Sequence, residues 1–273
     1  MVTRPILRYH GGKWMLAPWI ISHFPDHRIY TEAFGGAASV LLQKKRSYCE
    51  VYNDLDDEVV NLFRVVRESG PELIRFLELT PYSSTEYKQS YEIADCDPFE
   101  LARKTLIRSF MGFASGIQST QKTGFRANSN RAGTTPAHDW NNFPRSLEAI
   151  IERMKGVVIE NREAIEVIKQ HDTPKTLHYL DPPYKLETRY AGESTNIYKF
   201  EMNTDQHVKL LKSLALLEGM VVLSGYDNTL YNDMLTGWQK ATKTSVASGG
   251  KGSIKRIETL WISPNCKYQH KLF

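Results

Sequence analysis

Asp181, Pro182, Pro183 and Tyr184 follow directly on the apolar run Leu177-His178-Tyr179-Leu180. Proline fixes φ and has no N–H, so a strand that reaches this point stops. The proline carbonyls are then held in set directions and remain open to hydrogen bonds. Asp181 adds another acceptor, and Tyr184 adds a flat stacking surface. Acceptors beside an aromatic face suit a planar ring that bears an exocyclic amine. Two other stretches have chemical content. In "TEAFGGAASV", Gly35 and Gly36 let the backbone approach a ligand closely, and a helix start beyond them offers unpaired N–H groups. In "VYNDLDDE", Asp54 stands 19 residues after Gly35. A carboxylate about 20 residues past a glycine-rich turn is the usual acceptor for ribose hydroxyls. Each stretch also has a plainer reading. A glycine pair serves any tight turn, Asp54 could cap the next helix, and the proline pair could be a rigid turn with an incidental acid. Glycine loop plus acid indicates a nucleoside-containing cofactor. Neither GxGxxG nor GxxxxGK[ST] occurs, so neither NAD nor ATP is supported.

The elements that must position these residues alternate. Residues 29–34, 48–52, 157–160, 177–180 and 220–224 read as short apolar strands of a sheet covered on both faces. Leu55, Val59, Leu62, Phe63 and Val66 form one helical stripe. Thr204 is the expected N-cap of a helix carrying Val208, Leu211, Leu214 and Ala215. Such alternation predicts an α/β fold with a doubly wound, mostly parallel sheet, in which ligands bind beyond the carboxyl ends of the strands. All three chemical stretches fall at such ends. Residues 238–246 and 257–263 read as an antiparallel hairpin joined by "ASGGKGSIKR", a long, mobile, basic loop. The alternation breaks between about 72 and 144, with helical segments over 83–110 and then a Gly, Ser, Thr and Asn-rich tract. The expected organisation is a catalytic domain over 1–71 and 145–273, interrupted by an insert over 72–144.

Charge marks that insert. From 101 to 145 seven basic residues face Asp139 alone, a local +6 in a chain of +4. A basic segment on a mildly acidic body points to a polyanionic partner, with a solvated basic surface as the bland reading. The 273 residues, 41% hydrophobic, suffice for a large core. Cys49, Cys96 and Cys266 are odd in number and widely spaced, as expected of reduced thiols in a cytoplasmic protein. No HExxH and no zinc-deaminase pattern occurs, so no metal is expected. No apolar run approaches the length of a membrane span, and no apolar signal region follows the N-terminus, so no membrane association is expected.

Together these stretches resemble the DNA N6-adenine methyltransferases with Dam-like motif order, over most of the chain. "RYHGGK" looks like that family's KWxGGK, "EAFGGAASV" like its EPFxGxGS loop, and "NDLDDEVVNLF" like its acidic motif. "ENREAIEVI" looks like its E-C-R-D-F segment, and "LDPPY" matches its catalytic motif. Tyr9 replaces the frequent Trp, Ala33 the loop proline, Ala38 the last loop glycine and Glu163 the Asp. The resemblance implies the methyltransferase fold with S-adenosyl-L-methionine as cofactor and double-stranded DNA as partner. It implies that Tyr9, Gly12, Lys13, Phe34, Gly35, Gly36 and Ser39 surround the methionine end of the cofactor. Asp54 would accept from its ribose and Glu163 from its adenine amine. Asp181 borders both sites, and with the Pro182 carbonyl would accept the two N6 hydrogens of the target adenine, while Tyr184 would stack on that base. Arg126, Asn128, Asn130 and Arg131 in "FRANSNR", with Lys251 in the hairpin loop, are the expected DNA contacts. They combine phosphate-binding charge with amides that can pair with adenine edges. Lys255 and Arg256 extend that basic loop. Competing readings are an amino methyltransferase acting on cytosine N4 or on RNA, and a catalytically silent DNA-binding module.

Overall fold

The computed structural model describes residues 2–9, 11–113, 122–128, 130, 133–188, 199–249 and 252–268. Seven strands form one sheet: β1 (Ile29–Glu32), β2 (Cys49–Asn53), β3 (Val157–Glu160), β4 (Thr176–Leu180), β5 (Met220–Tyr226), β6 (Gln239–Gly249) and β7 (Gly252–Ile262). Their order is β3-β2-β1-β4-β5-β7-β6, parallel from β3 to β5 and antiparallel at β7 and β6. From β1 the chain winds outward to β2 and β3, then returns to the other side of β1 with β4. The switch point of a doubly wound sheet therefore lies between β1 and β4, and the crevice there is where such sheets take ligands.

The helices are α1 (Ala17–Ile21), α2 (Asp57–Leu79), α3 (Ser84–Gln89), α4 (Pro98–Met111), α5 (Pro136–Asn142), α6 (Leu147–Met154), α7 (Ala164–Gln170), α8 (Thr204–Leu214), α9 (Thr229–Met234) and α10 (Asn265–Tyr268). Strand periodicity sorts side chains between two cores. Leu177, Tyr179, Met220 and Val222 join Val59, Leu62, Phe63, Leu106 and Ile107 on the face covered by α2 and α4. Leu180, Val221 and Leu223 join Ala164, Ile168, Leu210, Leu211 and Leu214 on the face covered by α7 and α8. Each fully buried Leu or Phe adds roughly 1.5–3 kcal/mol, so both faces must be covered for the sheet to hold.

Four expectations are refined. The helix start expected beyond Gly35 and Gly36 does not form, because the chain runs from β1 to β2 through turns. The helix of the 55–67 stripe runs on to Leu79, with non-helical φ/ψ at Ser69 and Pro71 inside it. Pro71 lacks the N–H that would continue the ladder, which accounts for the kink. Position 72, taken as the start of the insert, thus lies inside α2. Gly70 lets α6 pack closely there, since a Cβ would sit 2.5 Å from Ile151 Cδ1 and push that side chain aside. Helix α8 is capped by Asn203 rather than Thr204. The Asn203 side chain accepts from Gln206 N, and Gln206 returns the bond to Asn203 N in a capping box. The expected long hairpin loop is mostly strand, because β6 and β7 pair in register from Gln239↔Ile262 to Gly249↔Gly252. A main-chain ladder forms irrespective of the small side chains that suggested a loop.

Candidate active site

The glycine loop leaves β1 and is shaped by aromatic rings. Gly35 N donates to Asn53 O at 2.8 Å, and a Cβ on Gly35 would lie 2.1 Å from the Tyr52 ring. Gly36 has φ +46°, and its Cβ would meet the Tyr9 ring at 2.8 Å. Tyr52 Oη donates to Gly36 O at 2.7 Å. Only glycine allows this close approach and this left-handed turn. Ala38, where the family has glycine, also has positive φ, at +52°, and is fully buried. A left-handed non-glycine residue costs roughly 1–2 kcal/mol. The departure thus adds backbone strain as well as a methyl group. Phe34 packs against the second core, and Ser39 is buried behind the loop.

Asp54 holds the loop from the neighbouring strand end. Its Oδ2 accepts from Gly36 N at 2.7 Å and its Oδ1 from Asp56 N at 2.8 Å. Burial pushes this half-buried carboxyl up to about 6, against the pull of those amides. The N-cap of α2 is Asp56, which accepts from Glu58 N, so capping does not account for Asp54. A carboxylate has about four lone-pair directions, so some stay open for a hydroxyl pair. Glu163 lies exposed at the N-cap position of α7 without a side-chain cap bond. Asn53 stitches its loop to the glycine loop. Asn53 Nδ2 donates to Ala33 O at 2.9 Å and Arg162 O at 3.0 Å, and Oδ1 accepts from Arg162 N at 2.9 Å.

Across the switch point, β4 ends in the proline turn. Lys13 is brought there by the turn in which Gly12 N donates to Tyr9 O at 3.1 Å. Its Nζ stands 3.0 Å from Asp181 Oδ2, donates to Gly11 O at 2.8 Å, and lies 4.8 Å from the Tyr184 ring centroid. Tyr184 Oη donates to Glu258 Oε2 at 2.9 Å, and its ring meets Tyr226 edge-on at 4.7 Å. Arg256 Nη1 donates to Tyr226 Oη at 2.9 Å. Burial pushes Glu258 up, Lys13 pulls it down, and the Asp181 charge adds to the rise. Among the described residues no donor reaches the carbonyl oxygens of Pro182 or Pro183, and none reaches Asp181 Oδ1. A cluster of acceptors with open lone pairs therefore stands beside an aromatic ring, at the crevice of the sheet.

The family model for D12 class N6 adenine-specific DNA methyltransferases matches residues 9–246. The chain belongs to this family. It is 22% identical to the DNA adenine methylase of Salmonella typhi over 276 residues, 94% of each chain, and equally similar to that of Salmonella typhimurium strain LT2. The chain is thus a DNA adenine methyltransferase, and membership implies S-adenosyl-L-methionine as its methyl donor in general.

In the methyltransferase the 80–143 segment packs into the first core. Trp140, Phe110 and Phe143 share the core of Val59 and Leu62, and Trp140 Nε1 donates to Thr80 O at 2.8 Å. Arg126 is 6% exposed. Its Nη1 donates to Phe110 O at 3.0 Å, its N–H to Met111 O at 2.8 Å, and its carbonyl accepts from Tyr82 Oη. This arginine fastens the strand-like return of 122–126 to the end of α4. Asn128 and Asn130 are exposed, and Asn130 N donates to Asn128 Oδ1 at 3.0 Å. Arg131 and Lys251 lie outside the described residues. Three residues beside the candidate site have no role assigned from the sequence, although Glu32 opens "EAFGGAASV" and Asn53 opens "NDLDDEVVNLF". They are Asn53, Glu258, and Glu32, whose Oε2 accepts from Tyr30 Oη at 2.6 Å and Leu41 N at 2.8 Å. Only a pairing of distant strands could have pointed to Glu258. Asn53 and Glu32 were detectable as polar residues at the ends of apolar strands. No described helix is long and apolar enough to cross a membrane.

Proposed function

We propose that the methyltransferase acts on adenine flipped out of double-stranded DNA, receiving it between Asp181, the Pro182 carbonyl and Tyr184. The observation that carries this reading is the set of acceptors at the switch point, Asp181 Oδ1 and the proline carbonyls, that no donor among the described residues reaches, beside the Tyr184 ring. Stacking hides adenine N6 in a duplex, so the base leaves the helix at a cost of a few kcal/mol, offset by contacts in the pocket. Asp181 and the Pro182 carbonyl accept the two N6 hydrogens. That pulls the nitrogen toward tetrahedral geometry and localises its lone pair. Preorganised acceptors and positioning supply the catalysis.

S-adenosyl-L-methionine supplies a methyl group made electrophilic by its positive sulfur. The residues fit this group. Asp54 keeps open lone pairs for ribose hydroxyls, the glycine loop exposes backbone, and Tyr9, Lys13, Phe34 and Ser39 border the same crevice. Glu163, exposed across the Asn53 bridge, is the acceptor assigned to an adenine amine. Asn128, Asn130, Arg131 and Lys251 are the residues assigned to DNA. Arg126 is not among them, because its guanidinium is committed inside.

Asp181→Ala tests the reading. The variant should lose nearly all incorporation of tritiated methyl into unmethylated DNA, yet still bind S-adenosyl-L-methionine in calorimetry. Near-wild-type incorporation would remove Asp181 from the chemistry.

A further inference from the structure

Tyr184 lies in an irregular segment, just past two prolines and outside any strand or helix. No main-chain ladder fixes the plane of its ring. Side chains from elsewhere in the fold meet it, among them Lys13, Tyr226 and Glu258. Of these three, Glu258 accepts from the phenol oxygen, at 2.9 Å. Glu258 stands on β7, paired with Tyr226 of β5 on one side and Lys243 of β6 on the other. It is 6% exposed, and a carboxylate buried on a strand is costly unless it is hydrogen-bonded and paired. An apolar residue would fill that strand position without the cost. The carboxylate instead accepts a bond roughly twice as strong as a neutral one. It is also the second acid, with Asp181, whose charge acts on the pocket cation Lys13.

We infer that Glu258 is the positioning residue of the Tyr184 ring, so that the antiparallel C-terminal hairpin sets the plane on which the target adenine stacks. The inference rests on the proposed stacking role of Tyr184. It gives the hairpin a part in the pocket that lies beyond the proline motif. It also explains why Tyr, rather than Phe, ends that motif: the hydroxyl is the handle by which β7 orients the ring.

Two substitutions delete the same bond from opposite ends. Glu258→Leu and Tyr184→Phe should each lower kcat about tenfold, the scale of one lost charge-assisted hydrogen bond. The double variant should be no slower than either single one. Glu258→Gln, whose amide oxygen can still accept from the phenol, should recover most of the rate. On a duplex with 2-aminopurine in place of the methylated adenine, Glu258→Leu should lengthen the fluorescence lifetime of the flipped base, because a loosely held ring quenches it less. S-adenosyl-L-methionine affinity should not move in any variant. Multiplicative losses in the double variant, or wild-type kcat and lifetime for Tyr184→Phe, overturn the inference even where Glu258→Leu does not fold. Tyr184→Ala separates the two levels. If it transfers methyl groups normally, the stacking reading itself fails. If it is impaired while Tyr184→Phe and Glu258→Leu behave as wild type, only the role of Glu258 fails.

Discussion

Glu32 closes β1 with a carboxyl that is 2% exposed. Burial pushes it up to about 8, against the bonds from Tyr30 and Leu41, and the nearby charge of Asp181 adds to the rise. The unfolded chain releases this proton near 4.5, the ordinary value, while the folded chain keeps it to about 8. Between those values the folded state binds the extra proton, so stability falls by ~1.4 kcal/mol for each unit of rising pH. Glu32→Gln keeps the shape and the acceptor oxygen and carries no proton to lose. At about pH 5 the variant should match the wild type, and its advantage should grow to roughly 4 kcal/mol by about pH 8. Asp54, also raised, contributes equally to both proteins and cancels in the difference. Urea unfolding followed by circular dichroism across that pH range measures the gap. Two curves that stay parallel, with a constant offset, would show that Glu32 is ionised in the folded protein and refute the reasoning. If the neutral form is the working one, Glu32→Gln should also keep methyl transfer near neutrality.

Gly35→Ala forces a methyl group into the Tyr52 ring and should cost roughly 1–3 kcal/mol in unfolding experiments, together with weaker S-adenosyl-L-methionine binding by calorimetry. Asn53→Ala leaves Ala33 O and the main chain of Arg162 without their partner. It should destabilise by roughly 2–4 kcal/mol and weaken cofactor binding, although Asn53 is fully buried. Arg126→Ala should lower the thermal midpoint, at a loss of roughly 1.5–3 kcal/mol, while the salt slope of DNA binding in a fluorescence titration stays unchanged.

What was legible in the sequence follows from how each signal is written. The apolar runs of β1 to β5 are local, so they could be read directly, and with them the α/β alternation. The proline motif and the glycine loop were legible because rigid or unusually free backbones need particular residues. The burial of Arg126 was not legible because a basic side chain carries its charge in the sequence but not its depth, and the carbonyl of Phe110 is a partner only after α4 has formed. The cap of α8 was missed by one residue because Asn203 and Thr204 are both good caps, and only the reciprocal bond with Gln206 decides between them. Glu258 was hidden because its partner Tyr184 is 74 residues away, and the β7 register that aims it comes from main-chain pairing.

The first turn of α2 ties these parts together. Asp56 N is held by Asp54, the carboxylate assigned to the cofactor ribose. The Asp56 carboxylate takes Lys199 Nζ at 3.2 Å, and Glu58 takes the same ammonium at 2.6 Å. Lys199 belongs to the chain that continues from the proline motif. The other Glu58 oxygen takes the guanidinium of Arg108 on α4. Burial opposes the charge on Glu58, yet Arg108 and Lys199 outweigh it and hold its carboxyl below the ordinary value. Two acids at a helix start are favoured by the helix dipole as well as by their partners. The glycine loop, the segment after the proline motif and α4 thus converge on one short stretch, 54–58. Removing Glu58 would leave Arg108 buried without its carboxylate and Lys199 with Asp56 alone. "NDLDDE" therefore carries two duties that its acidity alone does not separate. Asp54 faces the crevice, and Asp56 and Glu58 bind the rest of the protein to it.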